Sequence, residues 1–176
     1  MLKLLVYGYS EAANDFLVHM AREVRAPNSH DLKQGHRGAA TLDVTIGTFH
    51  KLKTDIRLVA VPDNPVSRKL IVRHSDGVVF IADPRRVEES RELLLELQQN
   101  LTLCGYSIDS FPCLILLDAR GGDDGKVADV TICATLGVEQ DRCVGVDSTK
   151  GTGVVDALKK IVKLMLSSIS KEEKAD

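Results

Sequence analysis

Asp76-Gly77-Val78-Val79-Phe80-Ile81-Ala82-Asp83-Pro84 is the stretch on which the fold turns. Residues 76–82 form an unbroken β-branched and aromatic run, the pattern of a strand buried on both faces in a parallel sheet. Asp83 and Pro84 then offer an N-cap and a first-turn proline for a helix reaching about residue 103. In that helix Leu93, Leu94, Leu97 and Leu101 make the buried stripe, while Arg85, Arg86, Glu88, Glu89 and Arg91 make a solvated face. Strand, polar turn and long amphipathic helix together form one βα unit.

Working outward, the same unit recurs. Residues 2–7 read as a strand, followed after Gly8 by a helix in which Phe16, Leu17, Met20 and Val24 recur at helical spacing, with Ser10 placed to cap it. Residues 27–40 carry Asn, Ser, His, Gly and Gln without periodicity and read as a long surface loop. Residues 41–49 and 54–61 read as two strands joined by a short basic hairpin, the second stopped by Val61-Pro62-Asp63-Asn64-Pro65. Residues 112–118 are another buried strand, followed at 119–127 by a loop of glycines and aspartates. A weaker helix, a short strand at 143–146 and an amphipathic helix at 154–169, with Val155, Leu158, Ile161, Val162 and Met165, close the chain. This alternation predicts an α/β fold with three layers: a mostly parallel six-stranded sheet with helices on both faces. Residues 1–170 are expected to form a single domain and residues 171–176 a polar tail.

Composition narrows the function classes. The 176 residues are 44% apolar and 27% charged, ordinary for a globular domain. With 23 basic and 25 acidic residues, a formal net charge of −2 gives no electrostatic case for nucleic acid or an anionic membrane. The apolar N-terminus is interrupted at Gly8 and then by Glu11, Asn14 and Asp15, so it is expected to be a strand and not a signal peptide or membrane span. Cys104, Cys113, Cys133 and Cys143 contain no C-x-x-C pair and are expected as reduced thiols in a cytoplasmic protein. His30 and His36 flank Asp31 but lack an ordered third ligand, and loop histidines are the better reading.

Ser67-Arg68-Lys69-Leu70-Ile71, the 76–83 run, Asn100-Leu101, Gly105-Tyr106 and Phe111-Pro112 resemble the bacterial gliding-motility, or Mgl-type, Ras-like small GTPases. Lys53-Thr54 and Val61-Pro62 also match beside the family's second switch. The resemblance spans nearly the whole chain. It implies the Ras-like P-loop NTPase fold and a polarity switch paired with Roadblock-type regulators. The family's chemistry, carried over residue by residue, is mostly missing.

The phosphate loop G-x-x-x-x-G-K-[ST] would fall on residues 8–15, where Gly8 survives and Ala13, Asn14 and Asp15 take the last three positions. That motif wraps phosphate with backbone N–H groups, adds a lysine charge and holds magnesium with a hydroxyl. Here the lysine is replaced by an amide and the hydroxyl by a carboxylate. The second-switch glycine and glutamine fall on Asp63 and Asn64, and Asn64 reads as a turn residue. The guanine-reading [NT]-K-x-D falls on Asp118-Ala119-Arg120-Gly121, so glycine replaces the aspartate that would accept from the base. Ser148-Thr149-Lys150 resembles the last guanine-side loop, and reads equally as a capped strand-to-helix turn.

A non-catalytic pseudo-GTPase acting as a protein-interaction module is therefore expected, without cofactor. Its partner-facing residues would be Arg37, Asp43, Phe49, Leu52, Asn64 and Arg68, on the 27–40 loop, the 41–49 edge strand and the 62–73 segment. The first partners to expect are a Roadblock-type regulator or a true Mgl-type GTPase. The alternative is an atypical GTPase holding GTP or GDP with magnesium through Gly8, Asn14, Asp15, Ser148, Thr149 and Lys150, aided by Arg37 or Arg68 as a compensating cation.

Overall fold

A computed structural model describes residues 1–23, 33–34, 39–49, 52–120 and 130–172; at 33–34, 46–49, 52–54 and 171–172 it describes the backbone alone. The expected loop at 27–40 therefore lies largely outside the described residues, with Arg37, His30, Asp31 and His36. So do most of the 119–127 loop and the last four residues of the tail.

The elements run β1 (Leu2–Gly8), α1 (Ser10–Glu23), β2 (Lys33–Gln34), β3 (Ala40–Phe49), β4 (Leu52–Ala60), α2 (Pro65–Val72) and β5 (Gly77–Ala82). They continue with α3 (Val87–Leu103), β6 (Cys113–Asp118), α4 (Val130–Leu136), β7 (Cys143–Val146) and α5 (Val154–Glu172). Among the described residues the sheet has the order β2-β3-β4-β1-β5-β6-β7. The expected six strands are all present, and the two-residue β2 is added against Ala40 and Thr41. It shares the edge that β3 was expected to hold alone. β3 runs antiparallel to β4, while β4, β1, β5, β6 and β7 are mutually parallel.

Strand alternation divides the core in two. Leu4, Val6, Val79, Ile81, Leu114 and Leu116 face α1 and α5. Leu5, Tyr7, Val78, Phe80, Ile115 and Leu117 face α2, α3 and α4. β5 and β6 are buried along their whole length, which is why they read as continuous apolar runs.

Three local expectations change. The helix placed after Asp83-Pro84 begins at Val87, with Arg86 at its N-cap and no side-chain cap bond. Asp83 is occupied within the preceding turn, where its carboxylate accepts from the Arg85 N–H at 2.9 Å and both guanidiniums pair with it. Ser10 is the first residue of α1, and its hydroxyl donates to Asp63 at 2.7 Å. Finally, the 62–73 segment holds a helix, α2, that no apolar periodicity announced. Asn64 is its N-cap, accepting from Val66 and Ser67 N–H at 2.9 and 3.2 Å, with Pro65 in the first turn.

Candidate functional site

The C-terminal ends of β1, β6 and β7 open on the crevice where doubly wound sheets place ligands. Three sequence stretches meet there: the start of α1, the turn after β6, and the turn after β7.

At the first, β1 ends at Gly8 and α1 begins at Ser10, so Tyr9 alone separates strand from helix. Residues 10–15 occupy the first turns of a regular helix, in which the Ala13 N–H donates to the Tyr9 carbonyl at 3.0 Å. The residues at the phosphate-loop positions thus hydrogen-bond as helix. Gly8 has its own reason to be glycine: a Cβ there would stand 2.7 Å from the Ile81 carbonyl oxygen of the neighbouring β5. Ala12 and Ala13 are buried, Asn14 is exposed, and Asp15 turns partly inward.

Across the crevice stands Arg120, a residue that sequence reasoning passed over. It lies just past β6 with φ +40°, in the left-handed region that side-chain-bearing residues enter at a cost. Its guanidinium reaches Asp15 Oδ2 at 2.5 Å and Glu11 Oε2 at 3.1 Å on α1. It also lies 3.5 Å from Asp118 Oδ2 at the end of β6. Its side chain is only 12% exposed. Partial burial works to lower the guanidinium's pKa, but the carboxylates of Glu11, Asp15 and Asp118 outweigh it and hold that pKa above its ordinary value. Nε is buried and accepted by no atom among the described residues.

Asp118 is buried and belongs to the third stretch as well. It accepts from the Ser148 N–H at 2.9 Å and from the Ser148 hydroxyl at 2.6 Å. Thr149 and Lys150 turn around Asp147 instead, whose Oδ1 accepts from both backbone N–H groups and from the Thr149 hydroxyl. The Thr149 carbonyl lies 2.8 Å from His19 Nε2 of α1. So Asp15 and Ser148 are joined through Arg120 and Asp118, while Asn14 stands outside and Thr149 and Lys150 form the polar turn that was the plainer reading.

A second arginine orders the other side of β1. Arg68 of α2, expected on an exposed partner face, is buried. It donates to the Pro62 carbonyl at 3.1 Å, Glu96 at 3.0 Å and Asp63 at 3.3 Å, and lies over the Tyr7 ring. Burial and the neighbouring Glu96 push the Tyr7 hydroxyl's pKa well up, so it stays protonated and donates to Glu96 at 3.3 Å. Asp63, at the second-switch glycine position, also accepts from Ser10 and so ties this segment to α1. Between α1, the 62–64 turn and α3 lies a cleft of about 560 Å³ lined by Glu11, Asp63, Glu89, Glu92 and Glu96 against Arg68 and Arg86. Arg86 covers the face of Tyr9, 4.0 Å from the ring centre.

Of the other expected partner residues, Asp43 pairs across the β3–β4 ladder with Arg57 at 2.7 and 2.9 Å. Asn64 caps α2, as above. Phe49 and Leu52 face each other in the register at the far end of the same hairpin. Arg37 lies outside the described residues. Of the missed residues, Glu11 and Arg120 fall on variable positions of the family's motifs and Glu96 on none; only their opposite charges, far apart in sequence, could have paired them.

No protein-family model matches the chain. It is similar to the Mutual gliding-motility protein MglA of Myxococcus xanthus (strain DK1622), 33% identical over 135 residues, an alignment covering 74% of this chain and 69% of that protein. With this similarity, and a mostly parallel sheet covered by helices on both faces, the chain belongs to the gliding-motility family of Ras-like small GTPases.

Proposed function

We propose that the chain is a pseudo-GTPase: a Ras-like protein of the gliding-motility family that works as a protein-interaction module and not as a nucleotide-hydrolysing switch. The observation that carries this reading is the Arg120 cluster. Glu11, Asp15 and Asp118 surround one guanidinium at the crevice, so three carboxylates meet one cation. A triphosphate placed there would face an excess of negative charge. One unit-charge repulsion at about 4 Å amounts to roughly 4 kcal/mol at an effective dielectric near 20.

The backbone adds to the electrostatics. A phosphate loop works because its N–H groups converge on the ligand, whereas here the Ala13 N–H is spent on the Tyr9 carbonyl inside α1. Asn14 supplies no positive charge where the loop's lysine would stand. These residues do not fit magnesium and GTP, and no hydrolytic step is assigned to them. The second-switch segment is instead held by Arg68 and by the Ser10–Asp63 bond, an order that needs no γ-phosphate.

In this reading the protein sits in the cytoplasm of a bacterium, in a motility or polarity pathway. It presents the β3–β4 hairpin and α2 to a Roadblock-type regulator or a nucleotide-loaded relative. No helix among the described residues is long and apolar enough to cross a membrane. The test is direct. The purified protein, denatured and analysed for released nucleotide, is expected to yield none, and fluorescent GDP with magnesium is expected not to bind at micromolar concentrations. Stoichiometric GDP or GTP, or sub-micromolar affinity, would overturn the reading. Restoring the loop's charge with Asn14→Lys and Asp15→Ser, with Arg120 kept, should raise any residual affinity.

A further inference from the structure

Resting on the protein-interaction reading, the geometry points to one docking groove and the chemistry of its occupant: an acidic segment of a partner protein with an apolar anchor, seated between α2 and the C-terminal end of α3. A groove of about 420 Å³ runs there, lined by Lys69, Leu70 and Arg73 of α2 and its C-cap and by Leu103, Cys104 and Tyr106 at the end of α3. That volume falls within the range of about 300–1,000 Å³ usual for sites that receive a ligand or an anchoring side chain.

The apolar lining is open to solvent. Leu70 is 52%, Leu103 66% and Tyr106 44% exposed, three of the eight large apolar side chains exposed among the described residues. Val66, one turn before Leu70 on α2, is a fourth at 69%. Isolated exposed leucines need no explanation, but a gathered patch with a concave centre marks an interaction surface. The patch is also held in shape. The Tyr106 N–H donates to the Leu101 carbonyl at 3.0 Å and its ring packs on Phe111 at 5.1 Å, so the tyrosine is fixed at the groove's rim. On the other wall, α2 is anchored from beneath by Arg68.

Charge selects the occupant. Lys69 and Arg73 stand one helical turn apart beside the groove, and neither has an ion-pair partner among the described residues. By contrast Arg68 of the same helix, and Arg86 and Arg91 at the start of α3, are all matched to carboxylates. Two unmatched cations flanking an apolar groove, on a chain whose formal net charge is −2, complement a segment whose apolar side chains are bordered by Asp or Glu.

Selection of a random peptide library on the full chain tests this. Lys69→Glu/Arg73→Glu serves as the charge-inverted control; both positions are exposed, so the variant should fold. Peptides enriched on the native chain should pair leucine or an aromatic residue with Asp or Glu. They should bind the inverted variant at least tenfold more weakly and also lose affinity on Leu70→Ser. Enriched peptides without acidic excess, or bound equally by the inverted variant, would overturn the assignment. So would a dimer of the native chain abolished by the inverted variant, or vesicles of phosphatidylserine bound as tightly as the best peptide. Repeating the titration with magnesium and GDP separates the two readings: a change would refute the nucleotide-independent module while leaving the groove in place.

Discussion

The two sides of β1 are each organised by one arginine, and they differ in how completely the fold uses it. Arg68 extends from a helix with ordinary backbone, its Nε, Nη1 and Nη2 each donate a hydrogen bond, and its side chain is 9% exposed. Arg120 is nearly as enclosed, at 12%, but it sits at φ +40° and its Nε is accepted by nothing among the described residues. The first belongs to the packing of α2 on α3. The second fills an inherited crevice, where its partners Glu11 and Asp15 are 78% and 38% exposed. An arginine that donates through all its nitrogens inside the packing and an arginine held at the crevice by partly exposed carboxylates should therefore respond differently to removal.

Removing Arg68 should have the larger effect. Arg68→Ala leaves Glu96 partly buried without its cation and frees the Pro62 carbonyl, and a loss of about 3 kcal/mol in urea unfolding is expected. Arg120→Ala should cost about 2 kcal/mol, because Glu11 and Asp15 can turn to water and Asp118 keeps both Ser148 bonds. Equal losses would erase the distinction between the two sides. A sharper version isolates the backbone. Glycine adopts φ +40° at less cost than alanine, so Arg120→Gly should be more stable than Arg120→Ala by about 1 kcal/mol, although both lack the guanidinium.

The same contrast explains what could be read beforehand. Continuous apolar runs at 76–82 and 112–118 announced β5 and β6 because burial on both faces leaves no room for alternation. Departures from the family's motifs read as single substitutions at known spacing. The helix after Gly8 was legible from its apolar spacing, but the reason for Gly8 was not: it looked like a phosphate-loop residue, and its reason is the approach of Ile81. Nor was α2: its stripe is short, and its buried members are Arg68 and Val72, so half of its inward face is a charged residue. Arg120 and Asp15 are 105 positions apart, and no local pattern joins them. Long-range ion pairs depend on topology, and they assemble the site here.

The smallest effect concerns Asp83, which follows β5 between the two arginine clusters and anchors the turn carrying Arg86 over Tyr9. Burial alone would raise its pKa, but hydrogen bonds from the Arg85 side chain and backbone and from Arg86 prevail, and the carboxyl lies below its ordinary value. A carboxyl with a depressed folded pKa contributes stability at pH above its unfolded value, about 3.9, and that contribution disappears as pH falls through the folded value. Asp83→Asn should therefore be less stable than the native chain at pH 7, with the gap narrowing below about pH 4. Because Arg85 and Arg86 are largely exposed, added salt should narrow it as well. A gap that stayed constant from pH 7 to pH 3 would mean that Asp83 acts through its shape and neutral hydrogen bonds. The turn after β5 would then belong with Arg68 among the parts held by packing, whereas the junction at Arg120 is held by charge.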